Sequence, residues 1–398
     1  MKILFVHEVN YVNKVIFEMH EFPELLALEG NAVTFFQFDE GFKFWRNKSA
    51  KRKTSISGRV VRGANLELVT PFQLGIPGFD RFLALVTSIP ALWKLFRDES
   101  FDVVVLYAVP TYGIQTLKIA KHFRVPVVFR ALDVSHLIRG TVFKFPIKLI
   151  EKYVYKSATL ISANNPAMAR YCLALAGRCE GARVNFPPID VSHFRVSAGS
   201  ASLRTELGFD PNDCVVVYMG TFFSFSGLDQ VIQSMKDVTE SNPKVRLLLV
   251  GGGEKDSELR KLVEDLGLQK HVKFTGFIDY QILPAYLQVA NVAINPMIPQ
   301  LVSRTAFPHK VLQYMAAGVP VVSTKLDGIF ETFGANAGIT WVDSPTQALV
   351  EAVRLGENPA GAAVMKHRQD DTVQSMLSVR SALDGLMSVL KESLAFQK

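Results

Sequence analysis

Short apolar runs alternate with helical patterns along nearly the whole chain. In the first half KILFV (2–6), AVTFFQF (32–38), FDVVVLYA (101–108), VPVVFRAL (125–132) and TLISAN (159–164) read as strands. In the second half CVVVYMG (214–220), VRLLLVGGG (245–253), HVKFTG (271–276), VAINP (292–296) and PVVST (320–324) do the same. Strands separated by helical segments predict a parallel α/β architecture. The helical stretch PELLALEG (23–30) stops on Gly30 just before the second strand, as a helix entering a strand should. The stretch from 184 to 213 is rich in Pro, Ser and Gly and has no clean period, which places a boundary near Val196. The expected layout is two doubly wound domains, 1–196 and 197–371, with a cleft between them. An amphipathic helix over roughly 372–395 closes the chain. Such sheets bind ligands outside the carboxyl ends of their strands.

Composition narrows the function classes. The chain has 398 residues and is 48% hydrophobic, too long for one compact core and well able to bury two. Its net charge of +7 is unevenly spread. Residues 1–196 hold 26 Lys+Arg against 16 Asp+Glu, a net +10, while 197–398 hold 18 against 21, a net −3. The basic half is the one expected to meet something anionic. Three cysteines give no disulfide framework, and no histidine cluster has metal-ligand spacing. A reducing compartment fits. The opening MKILFVHEVN reads as a first strand, not a signal peptide. The apolar run FLALVTSIPALW (82–93) is too short to span a bilayer and contains a proline.

Four stretches carry candidate chemistry. In FPHKVLQYMAAGVPVVST (307–324), Pro308 opens a helix that Gly318 ends and Pro320 keeps from continuing. Lys310 and Gln313 share a face near the helix start, where the dipole disfavours a cation but favours an anion. A phosphate would account for that lysine, and so would a solvated side chain on an ordinary helix–strand unit. Gly251-Gly252-Gly253 follow a strand and precede a charged helix; they form either a ligand loop or a tight turn. The loop from Gly220 to Gly227 offers only backbone amides and the hydroxyls of Thr221, Ser224 and Ser226. KFWRNKSAKRK (43–53) interleaves Phe44 and Trp45 with basic residues: an anionic membrane patch, a nucleic-acid patch or a solvated loop. After the strand at 125–132 come Asp133, His136 and Arg139, with Arg130 inside it. Asp133 and His136 suit acid–base or sugar-hydroxyl roles, and Asp133 equally suits a helix cap or an arginine pair.

In order and spacing these pieces resemble the retaining nucleotide-sugar glycosyltransferases of family four. The set is Gly220…Gly227-Leu228, Gly251–Gly253, Val272-x-Phe274-x-Gly276, FPHKVLQYMAAGVPVVST and DGIFE (327–331). The resemblance implies the GT-B fold of two facing Rossmann-like domains, with residues 372–398 packing back on the N-terminal one. It also implies a donor site in the C-terminal domain, an acceptor site in the N-terminal domain and transfer without a metal or other cofactor. The family's paired glutamates would fall at Thr305 and Gln313, and its Arg and Lys of the first loop at Thr221 and Ser226. Lys310, with Arg304, is then left to neutralise the donor diphosphate, and Gln313 to bind the ribose.

The leading expectation is a cytoplasmic enzyme, peripheral at the inner face of a membrane. It would move a sugar from a nucleotide-sugar to a lipid-linked or phosphorylated saccharide in lipopolysaccharide or capsule synthesis. Two alternatives share the fold: a non-catalytic subunit supporting a partner transferase, and a nucleotide-sugar 2-epimerase. A nucleic-acid partner is not expected, because basic residues outside 43–53 are scattered.

Overall fold

The computed structural model describes residues 1–39, 53–76, 78–138, 142–195, 200–376 and 378–397. The basic stretch 43–52, Arg139 and the expected boundary at Val196 lie outside them. The chain forms two compact units, Met1–Pro188 with Arg380–Lys398, and Ile189–Val379.

The first unit is built on eight strands: β1 (Lys2–Val6), β2 (Ala32–Phe36), β3 (Lys53–Ser57), β4 (Asn65–Val69), β5 (Val103–Leu106), β6 (Val127–Ala131), β7 (Leu160–Ala163) and β8 (Ala182–Val184). Their order is β3-β4-β2-β1-β5-β6-β7-β8, parallel except for the β3–β4 hairpin. Central strands are apolar on both faces because both faces are covered. Leu4 and Val6 enter one core with helices α2 (Phe79–Asp98), α3 (Gly113–His122) and, after the short α4 (Ser135–Ile138), α5 (Lys144–Ser157). Ile3 and Phe5 enter the other with α1 (Glu18–Leu28) and Ala382, Leu383, Leu386 and Leu390 of the helix Val379–Leu394.

The second unit has β9 (Cys214–Thr221), β10 (Val245–Gly252), β11 (Val272–Gly276), β12 (Val292–Asn295), β13 (Val321–Thr324) and β14 (Ile339–Val342). The order is β11-β10-β9-β12-β13-β14, all parallel. The helix His309–Ala316 buries Val311, Leu312, Met315 and Ala316 and packs on β12 and β13.

Four strands escape the apolar pattern. β3 is a polar, exposed edge whose strand pairing is with β4 alone, and β8 is three residues long. β4 and β14, which pair with β2 and β13, are only five and four residues long. Two helices also differ from expectation. α1 starts at Glu18 and runs through Pro23, because Glu18 is pinned by a buried arginine. The closing pattern is two helices, Pro359–Met376 and Val379–Leu394, not one from 372.

Candidate functional site

At the carboxyl end of β9 the chain turns at Gly220, whose φ of +134° lies where side chains are strained. Gly251, beside it on β10, packs so closely that a Cβ there would stand 2.1 Å from the Gly220 carbonyl oxygen. Its φ of +131° adds a second penalty. Gly251→Ala is therefore expected to lower stability by about 2 kcal/mol or more, read as a shift in urea midpoint at unchanged slope. Gly220 and Gly251 thus serve close packing of two strand ends, and the same packing leaves the Gly220 backbone beside Lys310.

Lys310 reaches this junction from the first turn of its helix. Its Nζ donates to Tyr218 Oη at 2.8 Å and lies 4.1 Å from the centre of that ring. Its Cε and Nζ lie 3.4 Å from where a Gly220 Cβ would be. No carboxylate pairs with it among the described residues. Though half-buried by surface area, the amine is walled by protein, and burial lowers its pKa to about 7. The tyrosines were not legible as site residues. Tyr218 Oη itself donates to the Thr221 carbonyl at 3.1 Å. Tyr314 Oη accepts the Met219 N–H at 2.6 Å, fixing the helix of Lys310 against the end of β9. Both phenols are raised by burial and stay neutral.

The remaining donor-side candidates divide. Gln313 is buried on the Lys310 helix, and its amide has no hydrogen-bond partner among the described residues. Thr305 Oγ1 donates to Leu301 O at 2.8 Å within its own helix turn. Ser226 is buried and its hydroxyl donates to Phe223 O at 2.7 Å, closing the loop on itself. Arg304 is exposed on the helix Leu301–Thr305. Thr221 sits at the end of β9 beside Gly252. The structure therefore gathers Lys310, Gly220, Thr221 and Gly251 to Gly253 at the carboxyl ends of β9 and β10, while Ser226 and Thr305 spend their hydroxyls locally.

In the first unit, His136 Nδ1 lies 2.6 Å from Glu151 Oε2, and Glu151 Oε1 accepts Ser135 N–H and Tyr155 O–H, each at 2.8 Å. Glu151 thus caps the short helix Ser135–Ile138, a role Asp133 was equally suited to. Asp133 has no ion pair among the described residues. Its surface is open, but surrounding protein and the negative Glu18 push its carboxyl up to about 6. Arg130 is not an anion ligand: it is fully buried, bidentate to Glu18 at 2.7 Å twice, and bonded to Ser162 and Asn185. Among the described residues no helix is long and apolar enough to cross a membrane.

Two family descriptions match the chain, "Glycosyl transferase 4-like domain" over residues 49–187 and "Glycosyl transferases group 1" over 200–360. It is a family-four glycosyltransferase chain. Within this family it is 28% identical over 188 residues to a GDP-mannose-dependent phosphatidylinositol monomannoside mannosyltransferase of Corynebacterium glutamicum, covering 44% of this chain and 47% of that one. It is 20% identical over 284 residues to the alpha-monoglucosyldiacylglycerol synthase of Acholeplasma laidlawii, covering 66% and 70%. The match spans about half the length of the first curated relatives. The fold is that of HepE from Anabaena, with a TM-score of 0.74 at 19% identity over 98% of this chain and 100% of that one. Sucrose-phosphate synthase from Thermosynechococcus elongatus gives 0.79 at 18% over 99% of both. The two parallel-sheet units are thus those of the GT-B glycosyltransferases.

Proposed function

We propose that this chain is a retaining, metal-independent glycosyltransferase that moves a sugar from a nucleotide-sugar to a lipid-linked or phosphorylated saccharide in cell-surface glycan synthesis. The observation that carries the donor site is Lys310, an amine without a carboxylate at the Gly220–Gly251 junction. A diphosphate there meets the lysine and the exposed strand-end backbone, and gains most as charge develops on the leaving group. Gln313, with its amide unspent, takes the ribose, and Arg304 is the only further cation available from the set. On the other unit Asp133, raised to about 6, is the group suited to an acceptor hydroxyl. His136 positions rather than reacts, since its Nδ1 is held by Glu151. Supporting the donor class, structures of HepE hold UDP and UDP-glucose. Supporting the acceptor class, relatives are named for phosphatidylinositol mannoside and diacylglycerol acceptors. That acceptor class supports the peripheral, cytoplasmic-face location we propose.

Calorimetry with UDP, GDP, ADP and CMP tests the donor site, and its pH dependence tests the lysine. With a pKa of about 7 in the free protein, Lys310 is charged below that pH and neutral above it. A diphosphate favours the charged form and raises its pKa in the complex, so affinity declines as pH rises through 7. Between about pH 6 and about pH 8 the loss is expected to approach roughly tenfold. Lys310→Ala should show no such loss; a pH-independent affinity in the wild type refutes the assignment. A second reading, a non-catalytic subunit, is favoured by Thr221, Ser226, Thr305 and Gln313 standing where the family has charged residues. Absence of affinity for all four nucleotides would establish it.

A further inference from the structure

The apolar run 82–93, too short to span a bilayer, lies within α2, which continues through Pro90. The helix is apolar on two sides. Ala84, Ser88, Leu92, Leu95 and Phe96 face the core. Phe82, Leu85, Val86, Ile89 and Trp93, at spacings of three and four, face outward, with Val86 66% exposed. From Phe82 to Trp93 these side chains make an apolar ridge about 17 Å long on the 20-residue helix. The ridge does not stand alone. Phe82 meets Phe143, just ahead of α5, edge to face at 6.1 Å between ring centres. From there Phe145, Leu149 and Tyr153 form a second outward ridge four residues apart, Phe145 being 70% exposed. Soluble surfaces scatter large apolar side chains; a contiguous set marks an interaction face.

The charge on this face has one sign. Lys144, Lys148, Lys152 and Lys156 run along α5 one position ahead of its apolar ridge, all exposed and none paired with a carboxylate among the described residues. α3, packed against both α2 and α5, adds exposed Lys118 and Lys121 and no acid. The carboxylates of these helices are turned away. Asp80 accepts the N–H groups of Leu74, Gly75 and Ile76; Glu151 is buried on His136; Asp98 lies at the far end of α2 beside Arg97. An apolar ridge flanked by unpaired lysines matches the boundary between acyl chains and anionic headgroups, with lysine stems lying along the apolar surface. A second copy is disfavoured, because a self-complementary interface would set one lysine ridge near the other.

We infer that the outward face of α2 and α5 docks the chain on the surface of an anionic phospholipid bilayer. This does not depend on the proposed transferase activity, since vesicle binding is read without any sugar donor. Co-sedimentation of the full chain with phosphatidylcholine vesicles, alone or containing phosphatidylglycerol, tests it. Strong binding only with phosphatidylglycerol is expected. Two variants alter exposed positions alone: Lys144→Gln/Lys148→Gln/Lys152→Gln, and Val86→Asp/Ile89→Asp. Each should lower the vesicle partition roughly tenfold or more, because every lysine near an anionic surface contributes severalfold. Circular dichroism melts of both variants should match the wild type, and the lysine variant stays decisive if the other fails to fold. Binding equal on both vesicle types, no binding, or retention in the lysine variant overturns the inference. So does a dimer in sedimentation velocity that Val86→Asp/Ile89→Asp dissolves, since the face would then be covered by a second copy.

Discussion

Lys310→Ala is expected to weaken nucleotide diphosphate binding on the order of a hundredfold and to remove transfer, while the protein remains folded. The size follows from how few cations the site has. Where the family carries charged residues, this chain has Thr221, Ser226, Thr305 and Gln313, and Ser226 and Thr305 bond within their own loop and helix turn. One charge in a low-dielectric site then does most of the work on the diphosphate, and loss of a single charge-assisted donor at developing charge costs 10² or more. The fold should not suffer. Burial lowers Lys310 from its ordinary value to about 7, so its charge is a cost to the free protein. Between pH 7 and the unfolded lysine's value the unfolded chain binds more protons, and stability rises with pH there. The variant should therefore melt at or above the wild-type temperature at neutral pH. Unchanged affinity, or a variant that melts well below the wild type, counts against the role given to this lysine.

The second large effect is structural. Arg130 and Glu18 form a fully buried, bidentate pair between β6 and α1, with Ser162 and Asn185 completing the guanidinium's partners. Arg130→Ala leaves the Glu18 carboxylate buried without its cation, which is expected to cost about 3–5 kcal/mol. Arg130→Met/Glu18→Leu, removing both charges while keeping volume, should recover much of that loss. Urea unfolding of the single and double variants measures it, and a single variant within about 1 kcal/mol of wild type would show that the pair carries little. Because the negative Glu18 also raises Asp133, removing it should lower the Asp133 pKa from about 6.

How much of this was legible follows from the range of the interactions. Lys310, its helix and the glycine loops were readable because each is written in a few consecutive residues: Pro308 at the helix start, Gly318 past its end, three glycines after an apolar run. What Lys310 touches was not readable. Tyr218 is 92 positions away, and only the crossing of β9 with the helix His309–Ala316 brings them together. The same distance problem hid Tyr314 on Met219, 95 positions apart, and Glu18 on Arg130, 112 apart. Asp133 read as a helix cap because capping is local; Glu151, on the following helix, took the place from outside that window.

The apolar run 82–93 shows the division most plainly. Its sequence showed an apolar run too short to span a bilayer and holding a proline, but not that it lies within a 20-residue helix. Which side it turns to the core is decided by the packing of α2 on the sheet, and that packing leaves Phe82 and Val86 outside, with Phe82 against Phe143 just ahead of α5. By itself, then, the sequence determined the alternation of strands and helices, the parallel α/β class and the stretches able to approach a phosphate, because periodicity, glycine and proline act over a few residues. Only the tertiary structure decided strand order, the polar edge β3, the partners of every buried charge and which apolar residues remain exposed. Those depend on which distant segments share a sheet, and no short-range rule contains that information.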